Sequence, residues 1–160
     1  MEAVTIDDAI LTALRAHTTL TLAYGDADGP QACAVLYAVT GEGSLVFVSS
    51  ATTRHGGGLA NDPRAAFTVQ ADGQRWTELQ GVQGRGAVRR LADGSPERAT
   101  AWAAYTQRFP FVTADERLGA ALAATDLWEL RPSWLRLIDN ARGFGVKTEW
   151  TAPFAPGRKG

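Results

Sequence analysis

Apolar residues first recur at helical spacing. Ile6, Ala9, Ile10, Ala13 and Leu14 fall at i, i+3, i+4, i+7 and i+8. This predicts a short amphipathic helix, capped by Thr5, with Asp7 and Asp8 at its positive end. After His17 the period changes to two. Leu20, Leu22 and Tyr24 alternate with Thr19, Thr21 and Ala23, the signature of a half-buried strand. The turn Asp26-Ala27-Asp28-Gly29-Pro30 leads into a second strand over 32–39, apolar on both faces. Gly41-Glu42-Gly43 then turns into a third, Leu45-Val46-Phe47-Val48, of the same doubly buried kind.

The stretch 49–61 is polar and glycine-rich, with a short helix ending at Asn61-Asp62-Pro63. A fourth strand is predicted over 65–71, a turn at Asp72-Gly73, and a long fifth strand over 75–91. Gly81, Gly84 and Gly86 in that strand mark bulges or close backbone approach. Ser95 caps a helix that starts at Pro96 and runs to about Arg108. A second helical stretch over 114–124 follows Phe109-Pro110. A sixth strand covers 127–138, with Pro132 making it an edge or bulged strand, and a last short strand covers 144–150. Strand following strand through hairpin turns, with few helices, predicts a mainly β chain with peripheral helices, closed or nearly closed as an antiparallel barrel.

Composition narrows the function classes. The 160 residues carry 16 basic and 17 acidic side chains, a formal net charge of −1. That balance argues against a chain whose main work is gripping a nucleic acid backbone. No apolar run approaches the roughly 20 residues of a membrane span, and the first ten residues have no secretory pattern. Membrane and nucleic-acid partners are therefore not expected, and a cytoplasmic setting is. The lone Cys33 cannot pair within the chain, and with only two histidines a structural zinc site is nearly excluded; no metal is predicted. Fourteen of the 16 basic residues are Arg, so each has to be judged by its neighbours.

One segment gathers chemistry. Ser49, Ser50, Thr52, Thr53, Arg54 and His55 put four hydroxyls, a guanidinium and an imidazole into seven residues at a strand-to-helix junction. Hydroxyls and free helix N–H groups donate hydrogen bonds, and Arg adds charge and a fork, so the segment suits a phosphate group. It equally suits a solvated loop with one basic residue. No Gly-Lys-Ser/Thr follows, so it is not a nucleotide-triphosphate loop.

At this point a family resemblance enters. Phe47-Val48-Ser49, then Thr53-Arg54-His55, then Asn61-Asp62-Pro63-Arg64-Ala65 resemble the pyridoxamine 5′-phosphate oxidase-like family of FMN-binding split barrels. The family pattern runs aromatic-x-Thr/Ser, Ser/Thr-Arg-Lys, a short helix, and Asn-x-Pro before the next strand. The stretch 81–91 looks like the family's long strand. Tyr105, Arg108-Phe109-Pro110, Trp128-Glu129-Leu130, Asp139-Asn140, Gly143-Phe144-Gly145 and Lys147 are closer to a small bacterial branch of it. The resemblance spans about residues 5–150. It implies a single split-barrel domain over 1–150, with 151–160 as a flexible tail, and a homodimer with the flavin at its two-fold interface.

Carried over by residue, the resemblance implies FMN with its phosphate among Ser49, Thr53, Arg54 and His55, beside Val48. Cys33, Ala34 and Val35 would line the isoalloxazine ring, largely through backbone groups. Trp76, Gln80 and Gln83 would approach the flavin across the dimer interface, Gln80 bonding a flavin edge. Three departures matter. His55 stands where the family has Lys, so its charge depends on pH. Ala32 and Tyr37 replace an Arg and a Lys of the oxidase proper, and no histidine follows His55 to complete the oxidase's Arg-x-His substrate motif. Pyridoxamine phosphate oxidation is therefore not expected.

The other candidates are plainer. Cys33 between two alanines reads as a small buried hydrophobe, and Asp26-x-Asp28-Gly29 as a hairpin turn, lacking the rest of a calcium loop. No Gly-x-Ser-x-Gly elbow supports a serine hydrolase. The segment 140–147 reads as either a second functional patch or the strand that closes the barrel. The leading expectation is an FMN-binding flavoprotein, an oxidoreductase on a small soluble molecule, with no catalytic residue to nominate. The alternatives are a flavin-, deazaflavin- or haem-binding protein without turnover of its own, and a structural domain with an empty loop.

Overall fold

The structure, a computed structural model, describes residues 5–50 and 52–153. Helix α1 (Asp8–Ala16) begins two residues later than the apolar spacing suggests. Asp7, not Thr5, caps it, accepting from the amides of Ala9 at 2.9 Å and Ile10 at 3.3 Å. Strands β1 (Thr19–Asp26) and β2 (Gly29–Leu36) form a hairpin in which Asp26 sits opposite Gly29. The predicted second strand then breaks at Tyr37 before β3 (Ala38–Val39). Tyr37 is buried, its amide donates to Thr18 O at 3.0 Å, and its hydroxyl donates to Leu14 O. Burial pushes its phenol well above the usual range.

The break at Tyr37 shapes the whole sheet. With β4 (Leu45–Val48), β5 (Arg64–Gln70), β6 (Gln80–Arg90) and β7 (Leu127–Asp139), the strand order is β2-β1-β5-β6-β7-β4-β3, every pair antiparallel. β2 and β3 are one chain segment, yet they occupy opposite ends of that order. The sheet therefore curls until its two edges meet in a single bent strand. It remains split along β2, which pairs with β1 alone among the described strands. A final strand, β8 (Lys147–Thr151), adds to the free side of β7. It runs into Thr151, the first residue of the expected tail; residues 154–160 of that tail lie outside the described residues.

β7 reconciles Pro132 with a central strand. On one side it pairs with β6 throughout; on the other it pairs with β4 over 127–130 and with β8 over 134–138. Pro132 falls between those two partners, where no ladder needs its missing N–H. A bulge at Ser133 shifts the register against Arg85 and Gly86. The strand is bulged, and it is not an edge. Gly86 is required there, because a Cβ would lie 2.1 Å from Arg131 O.

The barrel interior is built by alternation. Leu20 and Leu22 from β1, Phe67 and Val69 from β5, Phe47 from β4 and Leu135 and Leu137 from β7 pack with Ile10 and Leu14 of α1. Each such side chain contributes about 1.5–3 kcal/mol when fully buried. A second cluster lies outside the barrel, where Val46 and Leu127 meet Ala101 and Tyr105 of α3 (Pro96–Arg108) and its C-cap Phe109. β4 is therefore covered on both faces, as expected. β2 is not: Pro30, Ala32, Ala34 and Leu36 are exposed and alternate with half-buried neighbours. The predicted long fifth strand is also shortened. Residues 75–78 form a turn, closed by Glu78 N donating to Arg75 O at 2.9 Å, and β6 starts at Gln80. The helical stretch after Phe109-Pro110 divides into α4 (Phe111–Ala114) and α5 (Glu116–Ala123), because Asp115 starts a new helix by capping Arg117 and Leu118. No helix among the described residues is long and apolar enough to cross a membrane.

Candidate functional site

The end of β4 delivers Val48 and Ser49 to one mouth of the barrel. Ser49 is fixed through its backbone. Its amide donates to Asp126 O at 2.9 Å, and its carbonyl accepts from Trp128 Nε1 at 2.8 Å. Thr53 then starts α2 (Arg54–Asn61). Its Oγ1 accepts from Gly56 N at 3.2 Å and donates to Ser50 O at 2.6 Å. Cap and strand end are thereby brought together: Ser49 Oγ lies 3.3 Å from Thr53 Oγ1 and is hydrogen-bonded to His55 Nε2. Three predicted site residues thus form one hydrogen-bonded cluster at the positive end of a helix. Glycines fill much of α2, so its helical propensity is low and the Thr53 cap matters more than usual.

The imidazole of His55 is half-buried, beside Tyr24 at 6.4 Å between ring centroids, and burial lowers its pKa below the usual 6.5. Tyr24 also lies under α2, where a Cβ on Gly58 would come within 2.8 Å of its ring. Neither contact is visible in the sequence.

Arg54 has partners that the sequence did not suggest. Its side chain reaches back to the β1–β2 turn, where Nε donates to Asp26 Oδ2 at 2.9 Å and Nη2 to Asp28 Oδ2 at 2.7 Å. That hydrogen bond holds the Asp26 carboxyl below its usual range. The turn is the hairpin turn predicted, with Asp28 N donating to Asp26 Oδ1 at 2.8 Å. Its pairing with Arg54 was missed.

Cys33, Ala34 and Val35 lie on β2, in register with Leu22, Thr21 and Leu20 of β1. Cys33 is half-buried and not fully so, and burial raises its thiol pKa. These three residues border the strand's unpaired side, on the same hairpin whose turn holds Arg54.

Gln80 is at the far end of the molecule. It pairs with Asp139, whereas Arg90 at the other end of β6 pairs with Trp128, the residue that clamps Ser49. Ten residues of strand at about 3.3 Å each separate the two ends by roughly 30 Å. Gln80 and Gln83 instead line a cleft of about 440 Å³ with Leu79 and Ile138. Trp76 stands beside it, 69% exposed, edge-on to an exposed Phe144 at 6.3 Å. Asn140 joins the two loops, donating from Nδ2 to Trp76 O at 2.7 Å and accepting Gly145 N at 3.0 Å. Segment 140–147 thus latches a loop and starts β8; it does not close the barrel. No group of three His, Cys, Asp or Glu among the described residues is placed to hold a metal ion.

Comparisons with known proteins agree with this architecture. A UPF0306 protein of Klebsiella pneumoniae is 31% identical over 120 residues, covering 74% of this chain and 75% of that protein. The solved structure of a heme binding protein from Mycobacterium smegmatis superposes with a TM-score of 0.71 at 24% identity, over 92% of this chain and 59% of that longer one. The heme storage protein HutZ of Vibrio cholerae superposes with a TM-score of 0.65 at 17% identity, over 92% of this chain and 95% of that one. The family model for pyridoxamine 5′-phosphate oxidase matches residues 6–139. From the first helix to the end of β7, the chain belongs to the pyridoxamine 5′-phosphate oxidase family, in a small bacterial branch of split barrels.

Proposed function

We propose that this chain is an FMN-binding protein of the oxidoreductase class, acting on a small soluble molecule. The observation that carries the reading is the Ser49–Thr53–His55 cluster at the capped start of α2, whose first residue is bonded to the β1–β2 turn. The donor set fits a phosphate monoester. Two hydroxyls, an imidazole and the first amides of α2 can all donate to phosphate oxygens. Arg54 fits by type, although Asp26 and Asp28 hold it in the free chain.

Bound there, FMN would supply hydride or electron transfer. The chain's own residues would hold the phosphate, orient the ring and limit water. Ser49 and Thr53 would turn their hydroxyls from each other to the phosphate. His55, neutral in the free chain near pH 7, would take up a proton beside a phosphate dianion. Cys33, Ala34 and Val35 would offer backbone groups along the open edge of β2.

A second copy of the chain completes the proposal. The Gln80 cleft and the cradle lie at opposite ends of one chain, so Gln80 could reach a ligand in the cradle only from a partner. The exposed face of the sheet suits close approach. Ala32, Ala23 and Ala66 form one row across β2, β1 and β5, and Ala34, Thr21 and Thr68 the next. An isologous dimer is also the commonest closed assembly.

Haem binding without turnover is the second reading, favoured by the two haem-related structural neighbours. Spectral titration separates the two. FMN should bind saturably to the purified chain, and Thr53→Val together with Arg54→Ala should weaken it at least tenfold. A Soret band on adding haem, with no change in FMN fluorescence, would transfer the proposal to haem.

A further inference from the structure

The two carboxylates on Arg54 have a consequence for ligand capture. Arg54 is the first residue of α2, and both of its bonded nitrogens point to the β1–β2 turn, 26 and 28 residues earlier in the chain. The two acids are held unequally. Asp26 has 15% of its side chain exposed, and its second oxygen accepts from Asp28 N at 2.8 Å and from Gln31 Nε2 at 3.4 Å. Asp28 has 77% exposed, and its carboxylate bonds Arg54 alone among the described contacts. One carboxylate is anchored and the other is free to swing.

Two negative charges beside one positive charge leave this corner with a formal charge of −1. His55 does not offset it, because burial favours the neutral imidazole. An incoming anion is therefore repelled unless it takes a carboxylate's place on the guanidinium.

We propose that the β1–β2 turn is an acidic strap over Arg54, so that an anion enters the cradle only by displacing Asp28. The strap also sets which anion succeeds. A single carboxylate replaces like with like and gains little. A phosphate dianion brings more charge and three acceptor oxygens, enough to take the Arg54 fork and still leave an oxygen for a second donor. The inference rests on the flavin reading only for the ligand's identity; the competition for Arg54 stands on the geometry alone.

Inorganic phosphate is the probe, titrated into the full chain while the Arg54 Nε–H resonance is followed by NMR. Asp28→Asn keeps the turn, whose hydrogen bonds come from Asp26 and the backbone, and should bind phosphate about fivefold more tightly than wild type, the scale of one exposed ion pair. Adding Asp26→Asn should increase the gain further. FMN affinity should rise in parallel, while riboflavin, which has the same ring and no phosphate, should be unaffected. Unchanged or weaker phosphate binding in both variants, or no phosphate binding by any of the three proteins, overturns the strap. Tighter phosphate binding without FMN binding supports the strap and removes the flavin reading. The opposite pattern, FMN binding lost on Arg54→Ala but insensitive to Asp28→Asn, leaves the flavin reading standing and removes the strap.

Discussion

His55 is where one residue decides two pH dependences of opposite sign. In the free chain its pKa is lowered by burial, so the unfolded chain binds that proton more readily than the folded one. His55 therefore contributes stability above pH 6.5 that is lost as pH falls through its lowered folded pKa. Thermal midpoints recorded from about pH 7 down to 5 should fall more steeply for wild type than for His55→Gln. Equal slopes would show that the imidazole is not desolvated. If the proposed flavin reading holds, a phosphate dianion beside His55 favours the imidazolium, so FMN affinity should weaken as pH rises from about 6.5 to 8.5. His55→Gln should remove that trend as well. Much of this site was legible, because Ser49, Thr53 and His55 lie at spacings that a strand end and one helix cap bring together. The pairing of Arg54 was not, since its partners are set by where a hairpin folds against α2. Gly-rich α2 and the acidic turn each looked local; only the tertiary fold puts them in contact.

At the scale of elements, β-strands were read well where hydropathy alternates sharply and poorly where alanine dominates. β5 alternates Ala65, Phe67 and Val69 inward with Arg64, Thr68 and Gln70 outward, and its pattern was plain. β2 carries Ala32, Cys33, Ala34 and Val35, and alanine tolerates either face, so a strand with one open face read as buried on both. The start of β6 was misplaced because Trp76 and Leu79 look like strand residues but lie exposed, one in a turn and the other just after it. Two glycines test the account of the elements. A Cβ on Gly57 meets nothing within 4 Å, so Gly57→Ala should stabilise α2 by about 0.5–1 kcal/mol. Gly86→Ala drives a Cβ into the Arg131 backbone beside the β7 bulge, and should cost about 1–3 kcal/mol or more. Urea midpoints should move in opposite directions for the two variants. A neutral Gly86→Ala would mean that the bulge is not closely packed against β6.

The whole molecule is a sheet that curls back on its own chain at Tyr37 and leaves β2 open. That architecture followed from the succession of hairpins, and the split from the family resemblance, but the place where the sheet bends did not, because Tyr37 is held by contacts to Thr18 and Leu14 that no local pattern reveals. The openness matters for assembly. On the proposed reading, one chain holds the cradle at one end and the Gln80 cleft at the other, with a row of small side chains running across β2, β1 and β5. A dimer pairing one end with the partner's other end would give two equivalent sites. Native mass spectrometry of the purified chain with FMN reads assembly and ligand together, and is the most direct test of the central claim. The account predicts a species of two 17.0 kDa chains carrying two FMN, with the FMN lost from Arg54→Ala before the dimer is. A single chain, or a dimer that takes up no FMN at saturating concentration, would contradict it.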